Sequence, residues 1–319
     1  MPLMPPAKKT RWSWRSHTLR SRVYQALVVG VIVGLLWWLA ANTAHNMQTR
    51  GIQSGFDFLT QPAGFDIGET VLPFDSSEAY WRAFGAGLLN TLRVALPGIF
   101  LATVLGTLLG AGRFSRSVLA RGLCATYVEL FRNIPLLLQL LMWYLLLAQA
   151  LPPIDSPWVS GPLQLSKNGL AWHGAQSSEA TLTLSPEFLA LLLGLSLYTA
   201  AFVAEVVRAG IAAVPRGQSE AAATLGLSPR QTLRQVVLPQ ALRVIIPPLT
   251  NQYLNLTKNS SLAVAIGYPD VLSIANTAIN QTGRAVECIA IVMAVYLSTS
   301  LLTSLAMNRY NARSAIRER

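Results

Sequence analysis

Residues 220–239 read EAAATLGLSPRQTLRQVVLP. This short stretch, dotted with Arg230 and Arg234, sits between two strongly apolar runs in a chain with 52% hydrophobic and only 12% charged residues. Its local chemistry predicts a shape. Residues 218–225 favour helix, Gly226 suits a left-handed helix stop, Ser228 suits an N-cap and Pro229 the first position of a new helix. Pro239 is expected to interrupt the chain beyond that new helix. The reading is a helix, a tight turn and a second helix leading into an apolar run. Ala221, Ala222 and Ala223 leave the first helix almost no bulk, so another surface can approach its backbone, while Leu225 and Leu227 supply an apolar tip. The plainer reading is an ordinary interhelical loop carrying a surface helix.

Working outward, the apolar runs near the length of a bilayer crossing are 23–41, 87–110, 134–151, 188–207, 242–266 and 285–306. The chain is therefore read as all-α, a polytopic helical membrane protein of about six transmembrane helices. Basic residues set its orientation. With the N-terminus inside, the inner side receives Lys8, Lys9, Arg11, Arg15, Arg20 and Arg22, then Arg113, Arg116 and Arg121. It also receives Arg208, Arg216, Arg230, Arg234 and Arg243, and finally Arg309, Arg313, Arg317 and Arg319. Arg50, Arg82, Lys167 and Arg284 fall outside; eighteen against four is a strong positive-inside bias. The net charge of +11 is thus distributed by loop, without the aromatic interleaving of a nucleic-acid surface.

This threading divides the chain into a basic cytoplasmic tail (1–22), an N-terminal anchor (23–41), a periplasmic segment (42–84), a core (85–308) with its cytoplasmic loop at 208–240, and a cytoplasmic tail (309–319). A basic leader before an apolar run also fits a secretory signal peptide. The run is long for that role, and no small-x-small cleavage site follows LLWWLAANTAHN, so an uncleaved anchor is expected. Cys124 and Cys288 fall near opposite membrane faces, which excludes a disulfide within the chain. The acidic outside segment 42–84 is compatible with lying on the membrane surface, and 152–186, rich in Pro, Gly and Ser, reads as a loop.

Ionisable residues within spans require partners or a polar pathway. Glu129 with Arg132, and Glu205 with Arg208, are spaced i,i+3 and read as local ion pairs near an interface. Asn251, Asn255 and Lys258 form one helical stripe beyond Pro247 and Pro248, and Asn259, Ser260 and Ser261 mark where the helix loosens. The stripe reads equally as glue between helices or as a pathway wall, with Lys258 able to attract a carboxylate or to pair with Glu287. Asn90 and Arg93 invite the same argument. His17, His45 and His173 are scattered, and no H-E-x-x-H spacing or nucleophile elbow supports catalysis.

The 220–239 stretch resembles the EAA signature of ABC-importer permeases through Glu220, Ala221, Ala222, Gly226, Val236, Leu238 and Pro239, with Val236 where isoleucine is commoner. GLLNTLRVAL (87–96), YVELFRNIPLLLQLLMWY (127–144) and AAFVAEVVRAGIAAVPRGQSEAAATLGL (200–227) resemble the polar amino-acid branch of that family. SGFDFLTQPAGFDIGETVLPF (54–74), QYLNLTKNSSLAVAIGYPD (252–270) and NQTGRAVE (280–287) are more similar still to its broad-specificity L-amino-acid permeases. The segment 152–186 is short for that family.

The resemblance implies a type I permease core of five helices plus an N-terminal helix, importing L-amino acids by alternating access. Glu220, Ala221, Ala222, Gly226 and Leu227 would dock on a cytoplasmic ABC ATPase dimer. Asn90, Arg93, Asn251, Asn255, Lys258, Asn259 and Ser260 would be candidates for the substrate pathway. Further implied partners are a second permease chain, expected to be different, with a homodimer as the alternative, and a periplasmic amino-acid-binding protein. ATP and Mg would reside on the ATPase; this chain has no G-x-x-x-x-G-K-[ST] phosphate loop and no cofactor is expected in it. An ion-coupled secondary carrier using Glu205 or Lys258 is the competing reading, and it leaves the 220–239 insert unexplained.

Overall fold

The computed structural model describes residues 17–49, 51, 54–173 and 180–314. Lys8, Lys9, Arg11, Arg15, Arg50, Arg317 and Arg319, counted above, lie outside the described residues. The chain forms two units, Met1–Gly55 and Phe56–Arg319. The first contains α1 (His17–Thr49), a helix whose apolar residues, among them Val31, Leu36 and Trp37, are exposed along its length. A helix hydrophobic all round suits a lipid surrounding.

The second unit is built on α2 (Tyr80–Gly112) and α5 (Pro186–Ala212), both long and apolar enough to cross a membrane, as are α1 and α10 (Ala285–Ser314). Small residues at four-residue intervals explain why α2 and α5 pack so closely. Gly98, Ala102, Gly106 and Gly110 of α2 meet Ser196, Ala200, Val203, Ala204 and Val207 of α5. A Cβ built on Gly106 would lie 2.6 Å from Val203 Cβ and 2.7 Å from the Ala200 carbonyl oxygen. Lipid offers no hydrophobic drive between helices, so such close backbone approach is what holds them together. Ser185 caps α5 by accepting from the Phe188 amide at 3.0 Å, with Pro186 in the first turn.

Two further helix pairs are long and apolar enough to cross a membrane only when taken together, and each pair is bent. The run expected over 134–151 forms α4 (Leu136–Ala150), and a helix the sequence reading did not mark precedes it, α3 (Val118–Asn133), the pair being bent by 105°. Pro135 holds Ile134 in extended backbone and cannot donate to the α3 ladder. Buried Gln139 satisfies the carbonyls this frees, donating to Phe131 O and Ile134 O, each at 2.9 Å. The fifth span, α8 (Leu238–Asn259), runs through Pro247 and Pro248 and loosens into a 3₁₀ segment, Ser260–Ile266, where the polar Asn259–Ser261 run sits. After a bend of 50° the chain re-enters helix as α9 (Val271–Thr282), capped by fully buried Asp270, whose Oδ1 accepts from Ser273 N at 2.8 Å.

The segment read as a loop at 152–186 is corrected by the structure. It holds a four-stranded antiparallel meander: β1 (Trp158–Ser160), β2 (Leu163–Ser166), β3 (Gly169–His173) and β4 (Ala180–Leu184). Two-residue links join β1 to β2 and β2 to β3, and apolar residues alternate along the strands, a period-2 pattern that the Pro and Gly content obscured.

The stretch 56–79 packs against the helices. Phe58, Ala63 and Tyr80 join Val271, Ile274, Ala278 and Cys288 in one cluster. Arg284 fastens it, meeting the Asp57 carboxylate with both terminal nitrogens, one of them 3.0 Å from Oδ2. That bond holds the Asp57 carboxyl below the usual carboxylate range. A depressed carboxyl contributes stability above its unfolded pKa and loses it as pH falls through the folded value. The protection of the Leu59 and Gln61 amides against exchange, relative to their intrinsic rates, should therefore fall on acidification below the ordinary carboxylate range. Asp57→Asn should show the same opening at neutral pH; equal protection in both proteins at all pH values would exclude a fastening role.

Candidate functional site

The insert between α5 and α8 folds as its residue types dictate. The helix α6 (Arg216–Thr224) ends in a Schellman motif: Leu227 N donates to Ala222 O at 3.1 Å, Gly226 N donates to Ala223 O at 3.0 Å, and Gly226 has φ +77°. Ser228 then opens α7 (Pro229–Gln231) with a reciprocal capping box. Its Oγ accepts from Gln231 N, while Gln231 Oε1 accepts from Ser228 N at 2.8 Å. Ala222 is buried, Leu227 is half-buried, and Glu220, Ala221 and Gly226 are exposed. Leu225, at the tip, is 81% exposed. All five insert residues singled out in the sequence thus lie on one short helix and its stop.

The expected interruption at Pro239 does not occur. Residues 232–237 form a π-helical turn, Thr232–Val237, and α8 begins at Leu238 with Pro239 in its first turn. Proline lacks the N–H that would continue an α ladder, and the wider π turn accommodates it without ending the helix. Gln240 Nε2 donates to Val236 O at 3.0 Å and to Gln218 Oε1 at 3.3 Å, tying the base of α8 to α6.

About two turns before the end of α5, Glu205 receives two arginines. Arg208 Nη2 approaches Oε1 at 2.5 Å, and Arg113, the C-cap of α2, approaches Oε2 at 2.7 Å. The Glu205–Arg208 pair was legible from its spacing; the third partner was not, since Arg113 is 92 residues away. The expected Glu129–Arg132 pair is absent among the described residues, and Arg132 lies over the Phe202 ring instead, 5.2 Å from its centroid. An aromatic face within reach gives the guanidinium a partner that the exposed carboxylate does not outcompete.

The polar stripe of α8 behaves differently from the α2 residues grouped with it. Asn251, Asn255 and Lys258 are exposed, and Lys258 forms no ion pair with any described residue. Asn259 is half-buried, and Ser260 is buried with its hydroxyl donated to Thr257 O at 2.7 Å. Asn90 is fully buried; its Nδ2 donates to Glu69 O at 2.7 Å and Pro269 O at 2.9 Å, so its amide hydrogens are committed to joining the outer segment to the α8–α9 bend. Arg93 pairs with Glu69 at 2.8 Å, lies 5.0 Å above the Phe188 ring, and donates to Thr183 O at 3.0 Å. Glu69 is a residue that sequence reasoning missed, because nothing at a separation of 24 positions marks it as a partner. Among the described residues no cluster of His, Cys, Asp or Glu could hold a metal ion, and Cys124 and Cys288 are free thiols.

Comparison with known proteins places this geometry. The family described as binding-protein-dependent transport system inner membrane component matches residues 98–317. The general L-amino acid transport system permease protein AapQ of Rhizobium johnstonii is 42% identical over 391 residues, covering 98% of each chain. That alignment is longer than the 319 residues here, so the relative carries stretches without a counterpart in this chain. The putative amino-acid ABC transporter permease protein YhdX of Escherichia coli is also 42% identical, covering 96% of this chain and 97% of its own. Among solved structures, an amino acid ABC transporter with histidines is similar at 28% identity and TM-score 0.59, over 73% of this chain and 95% of the other. The inward-facing MetNI methionine ABC transporter, at 19% identity and TM-score 0.55 over 74% of this chain and 98% of its own, shares the fold.

Proposed function

The chain belongs to the family of binding-protein-dependent transport system inner membrane components, and we propose that within it this chain is the subunit through which L-amino acids cross the membrane. In this reading α6 and its Schellman turn dock on a separate ABC ATPase dimer, which holds ATP and Mg. Movement there passes through the α7–α8 helix and the Glu205–Arg113–Arg208 cluster to the spans. A second permease chain completes the pathway, and a periplasmic binding protein delivers the substrate. Both termini face the cytoplasm, as the basic loops favour.

The observation that carries the reading is the insert itself: a short helix of small residues, stopped and restarted by two complete capping motifs, with an exposed leucine at its tip. An ion-coupled carrier has no use for such a feature. The test is ATP hydrolysis by the complex that co-purifies with this chain, reconstituted in lipid, with binding protein loaded with single L-amino acids. Stimulation by several of them supports the reading and defines its breadth; a folded chain with no co-purifying ATPase excludes it.

For the pathway, the exposed face of α8 is the better candidate, and Asn90 and Arg93 act as fasteners beside it. Losing one charge-assisted contact of about 1.5–3 kcal/mol corresponds to roughly tenfold or more in affinity. Lys258→Met should therefore raise the substrate level needed for half-maximal transport by that order. Unchanged kinetics would assign the stripe to helix packing.

A further inference from the structure

The β1–β4 meander gathers the tryptophans and leucines of its strands on one face. Its register aligns Trp158, Leu165, Leu170 and Leu184 in one row across the strands, and Leu163, Trp172 and Leu182 in the next. Side chains alternate along a strand, so both rows, together with Ser160, lie on the same face, while Val159, Gln164, Ser166, Ala171 and Thr183 lie on the other. The apolar face is covered only in part. Leu184 packs into the cluster formed by α2, α4 and α5, whereas Trp158, Trp172 and Leu182 are 55%, 47% and 50% exposed.

Three observations identify what covers the remainder. First, Leu184 is two residues before the start of α5, and its face is the one turned toward the spanning bundle. A 27-residue helix is about 40 Å long, against a hydrocarbon thickness of about 30 Å, so its first turn sits at headgroup level. Second, Leu182 and Thr183 share an open cavity of about 790 Å³ with Leu92, Leu96 and Pro97, residues of the membrane-crossing helix α2, and Arg93 pins β4 to that helix. Third, the outer part of the face presents two tryptophans, whose apolar rings and N–H groups favour the water–hydrocarbon boundary.

The geometry points to a membrane-surface anchor: the meander lies flat on the bilayer beside α2 and α5, its Trp158–Trp172–Leu182 edge immersed among phospholipid headgroups and upper acyl chains. Its partner is a lipid surface. This inference rests on the chain spanning a membrane and is independent of which substrate it carries.

The test uses the full chain in phospholipid nanodiscs, in a Cys124→Ser, Cys288→Ala background, with a nitroxide at Leu182→Cys or at Gln164→Cys. Accessibility to oxygen and to a nickel chelate gives depth. The 182 label should favour oxygen and lie about 5–10 Å below the headgroup plane, the depth of interfacial elements, while the 164 label should favour the chelate. Equal chelate access at both sites would overturn the proposal by placing the apolar face in water. Exclusion of both reagents at 182 would overturn it in favour of a protein cover such as a second copy of the chain. Should the labelled variants fail to fold, a diazirine-bearing phospholipid photolysed with the native chain gives the same decision. Adducts at Trp158, Trp172 or Leu182 support it, and adducts confined to the spanning helices refute it.

Discussion

Gly226→Val should leave the chain inserted and assembled but abolish the stimulation of ATP hydrolysis by loaded binding protein. The effect is conformational. A Cβ at position 226 meets nothing within 4 Å, yet φ is +77°. An L-residue there costs about 1–2 kcal/mol, and a β-branched one resists this geometry further. The Schellman bonds from Gly226 and Leu227 back to Ala223 and Ala222 would open, and the tip at Leu225 would lose its fixed direction. Gly226→Asn, which tolerates the left-handed region, should keep most of the stimulation. Glu220→Lys, which reverses a charge on the exposed side of α6 without touching the turn, should also uncouple. Wild-type stimulation in Gly226→Val would remove the turn from any role in coupling.

Gly106→Val should have the largest effect on folding. Its added carbon falls within 2.7 Å of Val203 and of the Ala200 backbone oxygen, and neither belongs to a flexible side-chain end that could move aside. Overpacking of this kind costs about 1–3 kcal/mol, and more where backbone must shift. The expected result is a lower thermal midpoint and a loss of monodisperse protein in mild detergent. Gly122→Ala in α3 is the control, since a Cβ there meets open space, and exposed substitutions usually stay within about 0.5 kcal/mol. Equal behaviour of the two variants would mean that α2 and α5 are not held by close contact at Gly106.

Features whose signal is local were legible in the sequence. The caps of the insert depend on neighbours within five residues, and Gly226, Ser228, Pro229 and Gln231 each occupy the position their chemistry favours. The long spans were legible for the same reason, as runs of one composition. The bend at Ile134–Pro135 was signalled by its proline yet hidden by the apolar residues on both sides. The meander was signalled by Leu163 and Leu165, Leu170 and Trp172, and Leu182 and Leu184, strands too short to stand out against Pro and Gly. Long-range pairs were not legible at all: Arg113 with Glu205, Arg93 with Glu69, and Arg284 with Asp57 join residues whose spacing carries no period. Asn90 is the instructive case: its position in a span left it readable as interhelical glue or as pathway wall, and nothing in the sequence pointed to the two distant backbone carbonyls, Glu69 O and Pro269 O, to which its Nδ2 donates.

The π turn at Thr232–Val237 sets the rotational phase of everything after it. A π turn carries one residue more than the α turn it replaces, and each helical residue advances the face by about 100°. The helix that starts at Ser228 and the one that carries Asn251, Asn255 and Lys258 are therefore offset by one residue's rotation. The direction in which the polar stripe points is thus written into the length of a single turn within the EAA stretch. Deleting one residue from it would turn the stripe about a quarter of the way round α8 while leaving every side chain in the span unchanged.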